Sequence, residues 1–283
     1  MPLATFKEIL SDARRRKYAV GSFNIWDFYS AKGLITAAEK SRSPVIISLW
    51  QPELELAGYE ELFGLCVSIG RSASVPVAIF LDHAKDILEI EKAIQLGATS
   101  IMIDGSHLSL KENVSLTSHA VEIARSAGVS TEAEIGILGE EFGSEPDEAL
   151  YTDPQEAKRF VKETGVDALA VSIGNAHGYY KKEPKLDLNR LELIQSTVDV
   201  LLVLHGGSGL PPEDVQRAIE IGITKVNIGV EPRSVFMDGL RQSLLEGDKS
   251  EKFPHLIYPR AIELHQKYLQ EKMHELHSSG KAS

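Results

Sequence analysis

The sequence predicts a closed (β/α)8 barrel of the TIM type, on three observations. Eight short apolar runs recur along the chain, the segments between them carry helix start and stop signals, and 283 residues suit a fold that typically needs about 250. The runs cover residues 20–24, 45–49, 75–81, 99–103, 129–135, 168–173, 200–204 and 224–228. They are rich in Val and Ile and often apolar throughout, as parallel strands covered on both faces are. An open doubly wound sheet is the structural alternative. No G-x-G-x-x-G follows the first run, which weakens a dinucleotide-binding version of it.

The helices are readable from their ends. Asp86 caps a segment whose Ile87, Ile90 and Ile94 share one face, and Gly97 closes it. Asp153-Pro154 opens another, with proline at the first turn where its missing N–H costs nothing, and Gly165 ends it. Pro211 and Pro212 open a third, with Val215, Ala218 and Ile219 as its inward stripe before Gly222. An additional helix ends the chain, its stripe of Ile262, Leu269, Met273 and Leu276 to be buried against the barrel or another subunit.

No linker, low-complexity tract or composition break appears, so one domain over residues 1–283 is expected. The net charge of −11 argues against nucleic acid, for which no broad basic surface remains. Cys66 is the only cysteine, which excludes an intramolecular disulfide and a Cys-rich zinc site, and its apolar neighbours mark it as a core thiol. Residues 1–20 lack the continuous apolar stretch of a signal peptide, and no run approaches membrane-spanning length. The expected location is the cytoplasm, with no membrane partner.

In such a barrel the carboxyl ends of the strands converge on one face, so side chains distant in sequence meet there. His83 follows Phe80-Leu81-Asp82, His177 stands just beyond the sixth run, and His205 directly follows the seventh. Three neutral imidazoles form an open zinc site with room for substrate oxygens. Glu132 and Glu134 lie two apart in the fifth run and therefore point the same way. Glu134 is a candidate ligand or alternate ligand, and Glu132 a candidate to orient a ligand histidine from behind. Asp104 adds an acid to the same rim. The plainer reading of these acids is solvated loops and helix caps, and of Asp82-His83 a helix cap beside an exposed histidine.

Gly206-Gly207-Ser208-Gly209 can bring backbone N–H groups and a hydroxyl to an anion. After the eighth run, Asn227-Ile228-Gly229 precedes a helix whose N-terminus would face the same place, where barrels often bind phosphate.

These residues resemble the class II, metal-dependent ketose-bisphosphate aldolases, the fructose- and tagatose-bisphosphate aldolase family. The resemblance runs from Tyr18-Ala19-Val20-Gly21-Ser22-Phe23-Asn24 to the C-terminal helix. Its motifs are Leu81-Asp82-His83, Met102-Ile103-Asp104-Gly105-Ser106, Glu132-Ala133-Glu134, His177-Gly178, Leu204-His205-Gly206-Gly207-Ser208-Gly209 and Lys225-Val226-Asn227. It implies one catalytic zinc on His83, His177 and His205, Glu134 as accessory ligand and Asp82 as the catalytic acid/base. It also implies a monovalent cation (Na+ or K+) near Gly178 and Gly206, dihydroxyacetone phosphate and an aldehyde as cleavage products, and a homodimer or homotetramer.

Three departures from the family pattern stand out. Phe142 occupies the place of a loop glutamate that moves protons, which leaves Glu140 and Glu141 as candidates. Gly229-Val230 replaces a pair that supplies a hydroxyl to the 1-phosphate, and Trp50 falls where a small polar residue faces the distal phosphate. They point away from fructose 1,6-bisphosphate itself. Arg233 and Arg260 are candidate replacement anion donors, with exposed helix arginines as the plainer reading. The rival functions are a Schiff-base aldolase using Lys225, a sugar-phosphate-binding accessory barrel without turnover, and a metal-dependent epimerase.

Overall fold

The structure, a computed structural model, describes residues 3–138, 150–178, 180, 182, 184–247 and 253–282. Strands β1 (Val20–Asn24), β2 (Val45–Trp50), β3 (Val77–Ala84), β4 (Ser100–Ile103), β5 (Ser130–Ile135), β6 (Ala168–Val171), β7 (Leu201–Leu204) and β8 (Ile223–Ile228) form a closed barrel in sequence order. Each pairs in parallel with the next, and β8 returns to β1. Among the described residues the helices are α1 (Phe6–Arg16), α2 (Phe28–Ser41), α3 (Gln51–Ala57), α4 (Tyr59–Ser72), α5 (Ile87–Gln95), α6 (Leu110–Ser126), α7 (Pro154–Thr164), α8 (Leu188–Thr197), α9 (Pro212–Ile221), α10 (Val230–Glu246) and α11 (Pro254–Glu275). The expected end signals are in place. Asp86 and Asp153 accept backbone N–H groups at the starts of α5 and α7, and Gly165 and Gly222 terminate α7 and α9.

The barrel has two apolar layers. Outward strand residues such as Val45, Ile47, Ile101 and Leu202 pack under the helices. Inward ones, among them Ile46, Ala78, Phe80, Met102 and Val203, pack with Phe6, Leu10 and Ala13 of α1. The Phe6 and Ser100 pairing locates α1: the Phe6 N–H donates to the Ser100 hydroxyl at 2.8 Å, at the start of β4. A capping box between Thr5 and Glu8 starts α1, which closes the barrel at the strands' N-terminal ends. That leaves the opposite mouth for the site.

The C-terminal helix buries Leu269 and Met273, as its spacing predicts, together with Ala261 and His265, while Ile262 is only half-buried. It packs on α2, α10 and β1, so its inward stripe is satisfied within one chain. None of the described helices is long and apolar enough to cross a membrane.

Candidate active site

The mouth holds a cavity of about 530 Å³ whose lining includes Asp82, His83, Asp104, His177, His205 and Asn227. Asp82 and His83 both reach it although adjacent strand residues normally face opposite ways. A register shift between β3 and β4 explains how. Leu81 pairs with Ile101, but Ala84 pairs with Ile103, and His83 lies in the left-handed region at φ 56°. Such a bulge re-aims a side chain at a cost in backbone strain, a device concentrated at functional sites.

The three histidines converge. Their ligand atoms all lie within 4.8 Å of one another, and His83 Nε2 stands 3.1 Å from His205 Nδ1. Behind them, His83 Nδ1 donates to Asp104 at 2.9 Å and His205 Nε2 donates to Glu132 at 2.8 Å. Each carboxylate thereby fixes a ring and turns the other nitrogen inward. His177 Nε2 is buried with no hydrogen-bond partner among the described residues. Burial pushes the His177 imidazole down to about 3 and His205 well below its ordinary value. Burial opposes the charge on His83 too, yet the carboxylates of Asp82, Asp104 and Glu134 lift it to about 9. Three imidazoles, an orphaned buried nitrogen and a surround of carboxylates fit a divalent cation.

Around the triad the acids are held differently. Glu132 is fully buried and takes Lys225 Nζ on both oxygens, at 2.9 and 2.8 Å. Lys225 in turn lies 4.0 Å above the centre of the Phe80 ring. Asp104, despite a burial that opposes ionisation, is held far below the usual carboxylate range by His83, Lys85 and Ser106. Glu134 does not join the group of close ligand atoms; one of its oxygens is buried without a partner among the described residues, and burial raises its carboxyl to about 8. Asp82 accepts from Ser48 Oγ at 3.0 Å, Asn227 Nδ2 at 3.2 Å and Asn24 Nδ2 at 3.3 Å. Burial opposes its charge, but His83, His205 and Lys225 outweigh it and lower its pKa.

The glycine-rich loop sits beside α10. Gly206 adopts φ +64°, and a Cβ there would lie 2.1 Å from the Ala176 carbonyl oxygen, so only glycine fits. Gly178, Gly206, Ser208 and Gly229 line the cavity, whereas Gly207 turns its N–H to the Asn227 carbonyl at 2.8 Å. The Ser208 hydroxyl accepts the Val230 and Glu231 N–H groups at 3.2 and 3.3 Å. The expected meeting of this loop with the helix N-terminus is present, with the serine oxygen itself taking those two donors. Tyr180 ties the loops together: its hydroxyl accepts from Ala176 N and donates to the Gly206 carbonyl, both at 2.9 Å.

Glu140, Glu141 and Phe142 lie outside the described residues. Trp50, Val230 and Arg233 line the cavity. Arg260 is not among the lining residues and pairs with Glu246. Sequence reasoning had no role for Ser48, Lys85, Tyr180 or the pairing of Lys225 with Glu132. A lone serine in the apolar run Val45-Ile46-Ile47-Ser48-Leu49 was the available signal for the first.

The family model described as fructose-bisphosphate aldolase class-II matches residues 4–281. A fructose-bisphosphate aldolase of Geobacillus stearothermophilus is 40% identical over 290 residues, covering all of both chains. Among solved structures, the YdjI aldolase of Escherichia coli K12 is 35% identical with a TM-score of 0.89, over 99% of this chain and 100% of that one. A fructose-bisphosphate aldolase of Campylobacter jejuni, 24% identical over 99% and 97% of the two chains, shares the fold with a TM-score of 0.85.

Proposed function

This chain belongs to the class-II fructose-bisphosphate aldolase family, and from that premise we propose that it is a zinc-dependent aldolase. It cleaves a ketose phosphate reversibly between C3 and C4, giving dihydroxyacetone phosphate and an aldehyde. The observation that carries this reading is the convergence of His83, His177 and His205 beside a buried, ionised Asp82 in one cavity.

His83, His177 and His205 hold the ion, and Asp104 and Glu132 orient two of them. When bound, zinc supplies Lewis-acid stabilisation of the negative charge that develops on the substrate oxygens. Asp82 takes the C4 hydroxyl proton in cleavage and returns it in condensation. Ser48, Asn24 and Asn227 fix its carboxylate for that exchange. Backbone around Gly178, Gly206 and Gly229, with Ser208, seats the 1-phosphate. Glu140 or Glu141 is assigned the second proton transfer, at C3 of the three-carbon fragment.

The Schiff-base alternative is disfavoured by Lys225, whose amine is fully buried, ion-paired on both oxygens of Glu132 and absent from the cavity wall. Metal analysis paired with a cleavage assay on mono- and bisphosphorylated ketoses tests the proposal. Stoichiometric zinc and turnover lost to a chelator are expected; full turnover after chelation, or trapping of Lys225 by borohydride with substrate, overturns it. Zinc bound without cleavage of any ketose phosphate favours the accessory-barrel reading instead.

A further inference from the structure

One end of the cavity has a feature that the metal chemistry does not use. Arg233, on the first turn of α10, arches over the end of β1: Nη1 donates to the Gly229 carbonyl at 3.1 Å, and Nη2 pairs with Glu53 of α3. Its guanidinium carbon lies 5.3 Å from the centre of the Trp50 ring. Gly229 makes the arch possible, because a Cβ there would stand 2.4 Å from Asn24 Oδ1 and 3.2 Å from Arg233 Nη1. The β2–β3 register sets Trp50 beside Asp82. With Asp82 at the C4 hydroxyl, Trp50 is the neighbour that the register offers to the part of the substrate beyond C4, and the Arg233 guanidinium lies over its ring.

The charge at this end decides what fits. Among the described lining residues the lysine and arginine cations are Lys85 and Arg233, and each already has a carboxylate: Asp104 at 2.7 Å for Lys85, Glu53 for Arg233. Glu53, outside the lining, offsets the guanidinium, and Asp82 adds a carboxylate within it, so a terminal phosphate dianion would find no unmatched cation at this end. Arg233 reaches the cavity wall while its partner Glu53 does not, so the cavity meets a guanidinium whose charge is already matched, and the aldehyde released from a ketose carries hydroxyls rather than a charge to set against it. We propose that Trp50 and the Arg233–Glu53 pair form a subsite for an uncharged, hydroxylated aldehyde, so that the chain prefers ketose 1-monophosphates to ketose bisphosphates. This rests on the aldolase reading above.

The test runs the zinc-loaded full chain in the condensation direction, where product stereochemistry need not be known. Dihydroxyacetone phosphate is offered racemic glyceraldehyde or racemic glyceraldehyde 3-phosphate, and kcat/KM is compared. Glyceraldehyde is expected to win by about tenfold or more. Glu53→Gln, which frees Arg233, should shift the ratio toward the phosphorylated aldehyde by about tenfold, and Arg233→Gln should shift it the other way. A wild-type preference for glyceraldehyde 3-phosphate, or a ratio that neither folded variant moves, overturns the proposal while leaving the aldolase reading intact. Condensation with neither aldehyde, by a chain that holds zinc, sinks the aldolase reading and this subsite with it.

Discussion

His205 Nε2 lies 2.8 Å from Glu132 Oε1, and this one contact links the metal-binding face of the barrel to its floor. The same carboxylate holds Lys225, Lys225 sits over Phe80, and Phe80 packs edge-on against Phe6 of α1 at 5.9 Å between ring centres. A column of contacts therefore runs from the helix that closes the bottom to the ligand nitrogen at the mouth. It fixes the His205 tautomer, because Nε2 must carry the proton and Nδ1 the inward lone pair.

Glu132→Gln should disturb both ends of that column. The amide can no longer neutralise Lys225, and breaking a buried pair by removing one partner typically costs about 3–5 kcal/mol. It can also present its N–H₂ group to His205 and favour the wrong tautomer. Zinc affinity is expected to fall by about 10–100-fold, with a lowered melting temperature. Competition against a chromogenic chelator and a thermal melt check the two effects; wild-type zinc affinity would remove Glu132 from its orienting role.

Asp82→Ala separates chemistry from metal binding. Asp82 contributes to the cavity but is not among the close ligand atoms, so zinc content should remain near stoichiometric. Turnover should fall by about 10²–10⁴-fold, the usual contribution of a positioned acid/base. A variant with near-normal rate would take Asp82 out of the proton transfer.

The alternation of apolar runs and capped helices was enough to predict the barrel, because strands covered on both faces have few other arrangements. Convergence of His83, His177 and His205 was equally legible, since each follows an apolar run and strand ends share one face, although β3 itself extends through His83 to Ala84. What alternation does not encode is depth and register. Nothing in Leu81-Asp82-His83 spells a bulge, so the left-handed His83 that turns both polar side chains to the cavity had to be seen. Pairings such as Glu132 with Lys225, or Arg233 with Glu53, join residues brought together only by barrel closure. Helix α1 is hard to read from sequence because Phe6-Lys7-Glu8-Ile9-Leu10 carries a short apolar stripe among many charges. That stripe acquires meaning only once the barrel has a floor to fill.

Tyr180→Phe should loosen the site without emptying it. The hydroxyl joins Ala176, next to His177, to Gly206, next to His205, so it braces two loops that carry ligands. Its loss leaves a buried N–H and a carbonyl short of a partner, at a cost of about 1–3 kcal/mol. Zinc should dissociate several-fold faster in a chelator chase while the far-ultraviolet spectrum stays unchanged. An unaltered dissociation rate would show that the loops hold their geometry without the brace.

His265 gives a pH dependence separable from the metal site. It is buried on α11 between Trp26 and Phe236, with Nδ1 lacking a partner among the described residues, and burial lowers its pKa from 6.5 to about 4. Between those values the unfolded chain binds a proton that the folded chain does not, so acid favours unfolding. His265 therefore imposes no penalty above about pH 7 and an increasing one as pH falls through 6.5 toward 4, about 2 kcal/mol by pH 5. His265→Phe removes the titrating group and keeps an aromatic ring against Trp26 and Phe236. Denaturant melts of the zinc-loaded protein at pH 7.5 and pH 5 should show a smaller loss of stability in the variant than in the wild type. Equal losses would mean that His265 takes up its proton in the folded chain as readily as in the unfolded one.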